Sequence, residues 1–156
     1  MITAVFDCVI YVQAAINHQG PAAACLSLVE RNEAKLFTSP AVLAEVRETL
    51  AQQKLRNRFP HLTDDRIEPF LQQIGQIAEL IQNVPSHFSF PRDPDDAMYV
   101  DLAQATQAGF IVSRDKDLLS LMNDDDFRNA YPNLTIIDPV AFLTHVRSKA
   151  PKEADH

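Results

Sequence analysis

Short apolar runs alternate with longer amphipathic segments along almost the whole chain. The short runs are rich in β-branched and aromatic residues and are bounded by polar or turn-forming positions, as is typical of buried strands. They predict five strands, at residues 2–6, 35–38, 83–84, 110–113 and 134–137. The longer segments repeat apolar residues at helical spacing and predict helices at residues 8–17, 21–31, 40–53, 63–81, 93–109, 118–122 and from 138 onward. The stretch 54–60, with three basic side chains, is predicted to be a connection.

Strands separated by helices predict a mostly parallel sheet, because parallel neighbours need crossover connections, and these are nearly always right-handed. The fold class is therefore α/β, a three-layer α/β/α sandwich. A length of 156 residues fits one domain, which we place at residues 1–147. Residues 148–156 lack apolar periodicity, and we expect a disordered tail there.

Charge and cysteine content narrow the possible functions. Fourteen basic residues stand against 21 acidic ones, and the net charge of −7 excludes a general polyanion binder of the basic-arm type. Any contact with nucleic acid must be local or assisted by a metal. Cys8 and Cys25 are too few for a disulfide framework, which predicts reduced thiols and a cytoplasmic protein. No apolar stretch approaches the roughly 18 residues of a membrane span, so we expect no membrane anchor.

Acidic side chains follow the predicted strands at the edge where ligands of open parallel sheets gather. Asp7 ends the first strand and Asp115 follows the fourth. Asp95 and Asp96 open a helix that would begin near the same edge, and Glu45 lies one to two turns into another helix. The pattern predicts a pocket of four or five carboxylates.

Each acid also has a simpler explanation, which is helix capping. Asp93, Asp95 and Asp96 surround a helix start, where carboxylates satisfy free amides and complement the helix dipole by about 0.3 to 1 kcal/mol each. The sequence Asp138-Pro139 has the same pattern, and we assign it no function. The functional interpretation therefore depends on the convergence of several acids.

Converging carboxylates raise one another's pKa unless a cation offsets their charge. All-oxygen ligands select a hard divalent ion, Mg²⁺ or Mn²⁺, over zinc. Such an ion can activate water and polarise a phosphate oxygen, which are the requirements of phosphodiester hydrolysis. The chain has no GxGxxG, GxxxxGK[ST] or GxSxG motif, so it lacks the signatures of nucleotide-binding proteins and serine hydrolases. Its five histidines lie far apart in the sequence, without the spacing of metal ligands.

Four segments in order resemble the PIN domain, the nuclease fold of VapC-like toxins in prokaryotic toxin–antitoxin pairs. They are VFDCVIYV at 5–12, SPAVLAEVRETL at 39–50, RDPDDAMYVDLAQATQAGFIVSRDKDLLSL at 92–121 and NLTIIDPVAFL at 133–143. The resemblance implies strand order 3-2-1-4-5, RNA cleavage that requires Mg²⁺ or Mn²⁺, frequent dimerisation and a small antitoxin partner.

The resemblance also assigns roles to individual residues. It implies a metal-binding quartet of Asp7, Glu45, Asp96 and Asp115 and a possible fifth ligand, Asp117. It implies supporting roles for Ser113, Asp93 and Asp95. One departure concerns Cys8 and Val9, because related sequences often have Thr or Ser and then Asn there. Those polar side chains would steady the first ligand and help to bind substrate.

Our leading hypothesis is a metal-dependent endoribonuclease in which Asp7 and Asp115 hold the ion, while Glu45 and Asp96 complete its shell and orient water. Basic residues near the site or along the chain are candidates to contact RNA phosphates: Arg92, Arg114, Lys116, Lys54, Arg56 and Arg58. Two alternatives stay open. One is an inactive PIN-like interaction module, which Cys8 and Val9 favour. The other is a phosphate-accepting receiver-like domain, which would need an acidic pair near the first strand and a late lysine.

Overall fold

Five strands form one fully parallel sheet in the computed structural model, which describes residues 1–90 and 93–149. The strands are β1 (Thr3–Phe6), β2 (Lys35–Thr38), β3 (Ala78–Leu80), β4 (Phe110–Val112) and β5 (Thr135–Ile137). Their order is β3-β2-β1-β4-β5, with every neighbouring pair parallel. This confirms the predicted fold class and strand order. The order in which strands are added reverses between β1 and β4, where Phe6 pairs with Val112. In α/β sheets, the crevice that binds ligands opens at such a point.

Nine helices connect and cover these strands within the described residues. They are α1 (Cys8–Ile16), α2 (Pro21–Glu30), α3 (Pro40–Leu50), α4 (Gln53–Arg58), α5 (Asp64–Ile77), α6 (Ala97–Thr106), α7 (Lys116–Ser120), α8 (Asp125–Ala130) and α9 (Pro139–Lys149). Two short 3₁₀ turns, Pro94–Asp96 and Leu121–Asn123, precede α6 and follow α7. Ser39 caps α3 by accepting the Val42 N–H, as the Ser-Pro sequence predicts.

Helices pack on both faces of the sheet, which gives the three predicted layers. On one face, the ring of Phe6 in β1 contacts Tyr11 of α1 and lies edge-on to Phe142 of α9. The helix α6 packs against β1, β2 and β4 and covers the other face, as right-handed crossovers in the reversed direction require. The strand residues Ala4, Val5 and Phe6 are fully buried. Within the described residues, no helix is both long enough and apolar enough to cross a bilayer.

The third strand differs from the prediction. Residues 83–84 form no strand, and Asn83 instead takes a left-handed backbone with φ of 56°. The strand is Ala78–Leu80, which the prediction included in the preceding helix. Ile74, Ile77 and Ala78 fit a helical pattern, but the backbone becomes extended at Ala78, where pairing with Leu36 of β2 becomes available. Tertiary pairing decides the conformation of this short stretch over local pattern.

Several element boundaries also needed correction. The predicted connection at 54–60 contains the helix α4, and α8 was not predicted at all. The helix predicted to reach residue 109 ends at Thr106, because Gln107 adopts a left-handed conformation with φ of 55°. At the end of the chain, α9 continues to Lys149, two residues into the predicted tail. Residues 150–156, the rest of that tail, lie outside the described residues.

Candidate metal centre

Asp7 ends the central strand and caps the helix that follows it. Its Oδ1 accepts the backbone N–H of Ile10 at 3.2 Å, and its Oδ2 accepts a hydrogen bond from the Ser113 hydroxyl. The residue is only 2% exposed. Burial is the main reason that the pKa of Asp7 rises to about 6, although both hydrogen bonds oppose the rise. Asp7 is thus a fixed carboxylate whose charge is costly near neutral pH unless a cation lies close to it.

Ser113 joins the first acid to the fourth strand. Its side chain is fully buried, and its hydroxyl donates to Asp7 while accepting the backbone N–H of Asp115 at 2.9 Å. Asp115 in turn caps α7, because its Oδ1 accepts the N–H groups of Asp117 at 2.7 Å and Leu118 at 3.2 Å. Both Asp7 and Asp115 therefore act as helix caps, and capping and site formation coexist in the same side chains.

Asp93, Asp96 and Asp115 bring their carboxylates together. One carboxylate oxygen from each lies within 4.8 Å of the other two, which is close enough for one ion to contact all three. Asp96 is buried, and its Oδ2 has no hydrogen-bond partner among the described residues. The pKa of Asp96 rises to about 8, first because the side chain is buried and then because the charges of Asp115 and Asp93 act in the same direction. A buried carboxylate that has an unpartnered oxygen and lies in a group of three acids is a place where a cation would be stabilising.

Glu45 reaches this group from α3. Its Oε2 accepts a hydrogen bond from the Tyr99 hydroxyl at 3.1 Å. Burial raises the pKa of Glu45, the Tyr99 hydrogen bond lowers it, and the charges of Asp95 and Asp93 raise it. The Glu45 charge also raises the pKa of Asp7. All four members of the predicted quartet are therefore linked, through hydrogen bonds or electrostatic interaction, in one acidic site.

The loop that carries Asp93 is anchored by a buried acid and by aromatic rings. The Oδ1 of Asp101, a residue of α6, accepts the backbone N–H groups of His87 at 3.0 Å and Phe88 at 2.8 Å. The ring of Phe88 packs against Phe90 and, from α8, against Phe127. Phe90 is buried, and its carbonyl accepts the N–H of Asp93 at 3.2 Å. These contacts hold residues 87–90, which form no helix or strand, close to the acidic group.

The remaining predicted residues lie around the site or away from it. Asp95 is exposed, although its charge acts on Glu45, and Asp117 lies in the first turn of α7. Arg114 and Lys116 are exposed beside Asp115, whereas Arg92 lies outside the described residues.

Two residues of the basic stretch 54–60 already have contacts within the chain. Arg56 donates to the Leu50 carbonyl at 2.9 Å and pairs with Asp64, while the Arg58 guanidinium lies over the Phe59 ring. Lys54 is exposed. Arg56 thus joins α4 to the end of α3, a structural role that the sequence did not reveal.

Two residues of the site were missed by the sequence analysis. The sequence pattern assigned neither Tyr99 nor Asp101 to the site. Both lie on α6, and Tyr99 follows Asp96 by three residues, the spacing that puts side chains on one helix face. That spacing was a usable signal for Tyr99. Asp101 gave no comparable signal, because its partners are backbone amides of an irregular loop.

The donor set fits a hard divalent cation. Every candidate ligand is a carboxylate oxygen, which favours Mg²⁺ or Mn²⁺ and offers nothing to a metal that prefers nitrogen or sulfur. The unpartnered Oδ2 of Asp96 and the raised pKa values of Asp7 and Asp96 both indicate a place where positive charge would be stabilising. A cation seated there would be held by Asp93, Asp96 and Asp115.

Known proteins resemble this chain in sequence and in fold. The chain is 28% identical over 152 residues to the uncharacterized protein MJ1680 of Methanocaldococcus jannaschii, an alignment that covers 97% of this chain and 88% of that protein. The fold of the present chain is similar to that of a chain in the crystal structure of VapBC2 from Rickettsia felis bound to a DNA fragment from their promoter. That similarity has a TM-score of 0.52 and 17% identity, and it covers 88% of this chain and 98% of that one.

A family model gives the decisive match. The model of the PIN domain matches residues 3–117, from the first strand through the first turn of α7. This range contains all the candidate ligands of the acidic site. The chain therefore belongs to the PIN domain family.

Proposed function

We propose that this protein is a Mg²⁺- or Mn²⁺-dependent endoribonuclease. The observation that carries the proposal is the group of three carboxylates, Asp93, Asp96 and Asp115, with oxygens within 4.8 Å of one another. Membership of the PIN domain family supports it, since PIN domains are generally nucleases. The group lies near the ends of β1 and β4, where the strand order reverses, and this is the usual place for a ligand crevice in α/β sheets.

The side chains divide the work as follows. A bound divalent ion would polarise a phosphate oxygen and make water a stronger nucleophile. Asp93, Asp96 and Asp115 would hold the ion, and the buried Asp7, which Ser113 fixes by a hydrogen bond, would add negative charge to the site. Glu45 would complete the shell of the ion, orient the attacking water and accept its proton. With an ion bound, the acidic surface would attract phosphate instead of repelling it.

RNA is the proposed substrate, and a small antitoxin is the proposed partner. Arg114 and Lys116 are exposed on either side of Asp115 in the sequence, which supports a role for them in contacting the phosphates of the substrate. The similar fold in the VapBC2 complex supports a toxin-like role, in which a cognate protein covers the acidic site. We also propose a homodimer and, because Cys8 and Cys25 are buried free thiols, a cytoplasmic setting.

A cleavage assay tests the proposed function. Purified protein is incubated with a mixture of structured and single-stranded RNA, with EDTA, Mg²⁺ or Mn²⁺. We expect cleavage only with a divalent ion, and we expect Asp7→Asn to lose it while staying folded, because Asn keeps the shape and removes the charge. Equal activity in Asp7→Asn, or no cleavage by the wild type with Mn²⁺, would contradict the proposal.

One observation favours a second candidate, a PIN-like interaction module with little catalysis. Val9, two residues after Asp7, is 40% exposed, and Cys8 is buried, which raises its pKa to about 11. Neither side chain can supply the polar contacts that Ser or Thr and Asn would give. Replacing both, as Cys8→Thr with Val9→Asn, should raise the cleavage rate if the site is a weakened nuclease. No cleavage by either form would favour the interaction module.

A further inference from the structure

The hydroxyl of Tyr99 lies among three elements that each carry an acid of the site. Tyr99 is 1% exposed and belongs to α6, three residues after Asp96. Its oxygen is 3.0 Å from the backbone nitrogen of Cys8, the residue after Asp7, and 3.1 Å from Oε2 of Glu45 on α3. One buried atom therefore contacts the start of α1 and the middle of α3 while standing on the helix that follows Asp96.

The chemistry of the two neighbours fixes the direction of both hydrogen bonds. A backbone N–H can only donate, so the Tyr99 oxygen accepts from Cys8. A carboxylate can only accept, so the single hydroxyl hydrogen of Tyr99 points to Glu45. Rotation of the hydroxyl hydrogen to another direction would break the hydrogen bond to Glu45. The Tyr99 oxygen thus links the α1 backbone to the Glu45 carboxylate through two hydrogen bonds.

We propose that Tyr99 is a positioning residue that fixes the Glu45 carboxylate relative to Asp7 and Asp96, so that Glu45 can face a divalent cation held by the acidic site. The inference rests on the proposed metal-dependent function. Glu45 is only half-buried and stands in the middle of α3, where its side chain would otherwise be free to rotate into solvent. Outer partners of this kind orient ligands, and their loss typically lowers metal affinity or activity about 10- to 100-fold.

The competing explanation is purely structural. The Cys8 N–H lies in the first turn of α1, where such groups need an acceptor, and Tyr99 could serve only to satisfy it. Under that explanation, loss of the hydroxyl would destabilise the fold, but its effect on cation binding would not depend on Glu45. The two explanations therefore differ in the coupling between Tyr99 and Glu45.

A double-mutant cycle measures that coupling. Mn²⁺ affinity is determined by direct titration, without RNA, for the wild type, Tyr99→Phe, Glu45→Gln and the double variant. We expect Tyr99→Phe to weaken Mn²⁺ binding about 10-fold in the presence of Glu45 and to have no further effect in the Glu45→Gln background. Equal affinities of wild type and Tyr99→Phe would overturn the proposal, and so would independent, additive losses in the cycle.

Tyr11→Phe is the matched control. Tyr11 is also a fully buried tyrosine, and its hydroxyl lies beside Thr38 without a hydrogen bond of normal geometry among the described residues. Removing this hydroxyl should leave Mn²⁺ affinity unchanged. A loss equal to that of Tyr99→Phe would show that the effect is general to buried hydroxyl removal and would overturn the proposal.

A second measurement needs no Tyr99 variant and applies even if Tyr99→Phe does not fold. The chain has three tyrosines, so labelling with [¹³Cζ]tyrosine gives three resonances. Addition of diamagnetic Mg²⁺ should shift the Tyr99 resonance, leave Tyr131 unmoved, and cause no Tyr99 shift in Glu45→Gln. A Tyr99 resonance that does not respond while Mg²⁺ stabilises the wild type against heat would overturn the proposal.

The outcomes separate this inference from the proposed function. If the wild type binds Mn²⁺ but cleaves no RNA, the ribonuclease proposal fails and the affinity cycle still decides the role of Tyr99. If RNA is cleaved and Tyr99→Phe binds Mn²⁺ as well as the wild type, only the Tyr99 inference fails. If the wild type binds no Mn²⁺ at all, both are overturned.

Discussion

Two Asp-Pro pairs of this chain have the same local sequence pattern and opposite environments. Asp138 precedes Pro139 at the start of α9, is exposed, and accepts the Ala141 N–H at 2.8 Å through its Oδ1. Asp93 precedes Pro94 and makes no side-chain capping bond, and its carboxylate instead lies within 4.8 Å of two other acids. The first carboxylate stabilises a helix, whereas the second adds to a repulsive cluster. Helix starts alone do not distinguish the two, and only the tertiary fold does.

The largest expected difference between the two regions is in RNA cleavage. Asp96→Asn should lower the rate at least about 100-fold, the upper end of what even an outer partner of a metal costs. Asp138→Asn should leave the rate unchanged, since Asn caps a helix as well as Asp does. The measurement is single-turnover cleavage with saturating Mn²⁺. Comparable losses in both variants would show that the two regions do not differ in function.

Cation binding should separate the regions by a comparable free energy. Mn²⁺ at 100 times its dissociation constant should stabilise the wild type by about 2.7 kcal/mol. The stabilisation should persist in Asp138→Asn and disappear in Asp96→Asn, because only the second change removes a candidate ligand. Urea denaturation with and without Mn²⁺ measures it. An equal Mn²⁺ effect in Asp96→Asn would place the ion elsewhere.

The folding stability of the metal-free protein should fall as the pH rises, because the buried acids of the cluster lose their protons. The pKa of Asp96 is raised to about 8 and that of Asp7 to about 6, mainly by burial. A carboxyl group with a raised folded-state pKa binds its proton more tightly in the folded chain. Its contribution to stability is therefore fully present below about pH 4 and is lost as the pH rises through 6 and then 8.

Asp96→Asn should consequently stabilise the metal-free protein at pH 8.5, by an amount on the order of 2 kcal/mol after allowance for solvent screening. It should also flatten the decline of stability between pH 5 and 8.5. Denaturant midpoints at a series of pH values, in EDTA, measure both effects. Destabilisation of the same size at pH 8.5 would mean that Asp96 makes favourable contacts and that the cluster is not strained.

The smallest effect concerns the capping residue. Asp138→Ala should destabilise the protein by about 1 kcal/mol, through the loss of the hydrogen bond to the Ala141 N–H. The loss should be the same with and without Mn²⁺ and nearly constant between pH 5 and 8.5. A loss that changes with Mn²⁺ would show that Asp138 belongs to the cation site after all.

The sequence predicted the topology because apolar runs and helical repeats report burial directly. The strands that carry Asp7 and Asp115 are buried runs with clear ends, and parallel pairing brings their carboxyl ends to one edge. The prediction that the acids converge depended only on this common edge. Where the local pattern was ambiguous, as at Ala78, the prediction failed because pairing with β2 decided the conformation.

The detailed geometry of the site could not be predicted, since it depends on side-chain contacts across the fold. Asp93 was treated as a supporting residue, and the structure instead places its carboxylate beside those of Asp96 and Asp115. That placement depends on an irregular loop held by Asp101 and Phe88, contacts that no sequence periodicity encodes. Tyr99 is a buried core residue, and only the folded chain brings its hydroxyl to the Cys8 N–H and the Glu45 carboxylate.

Anomalous diffraction from a crystal grown with Mn²⁺ tests the cation site most directly. The account predicts one strong peak in contact with carboxylate oxygens of Asp96 and Asp115, and with Asp93 within reach of the same ion. The peak should vanish in Asp96→Asn and remain in Asp138→Asn. No peak at this edge of the sheet, at Mn²⁺ concentrations that support any cleavage, would contradict the claim that these acids form a metal centre.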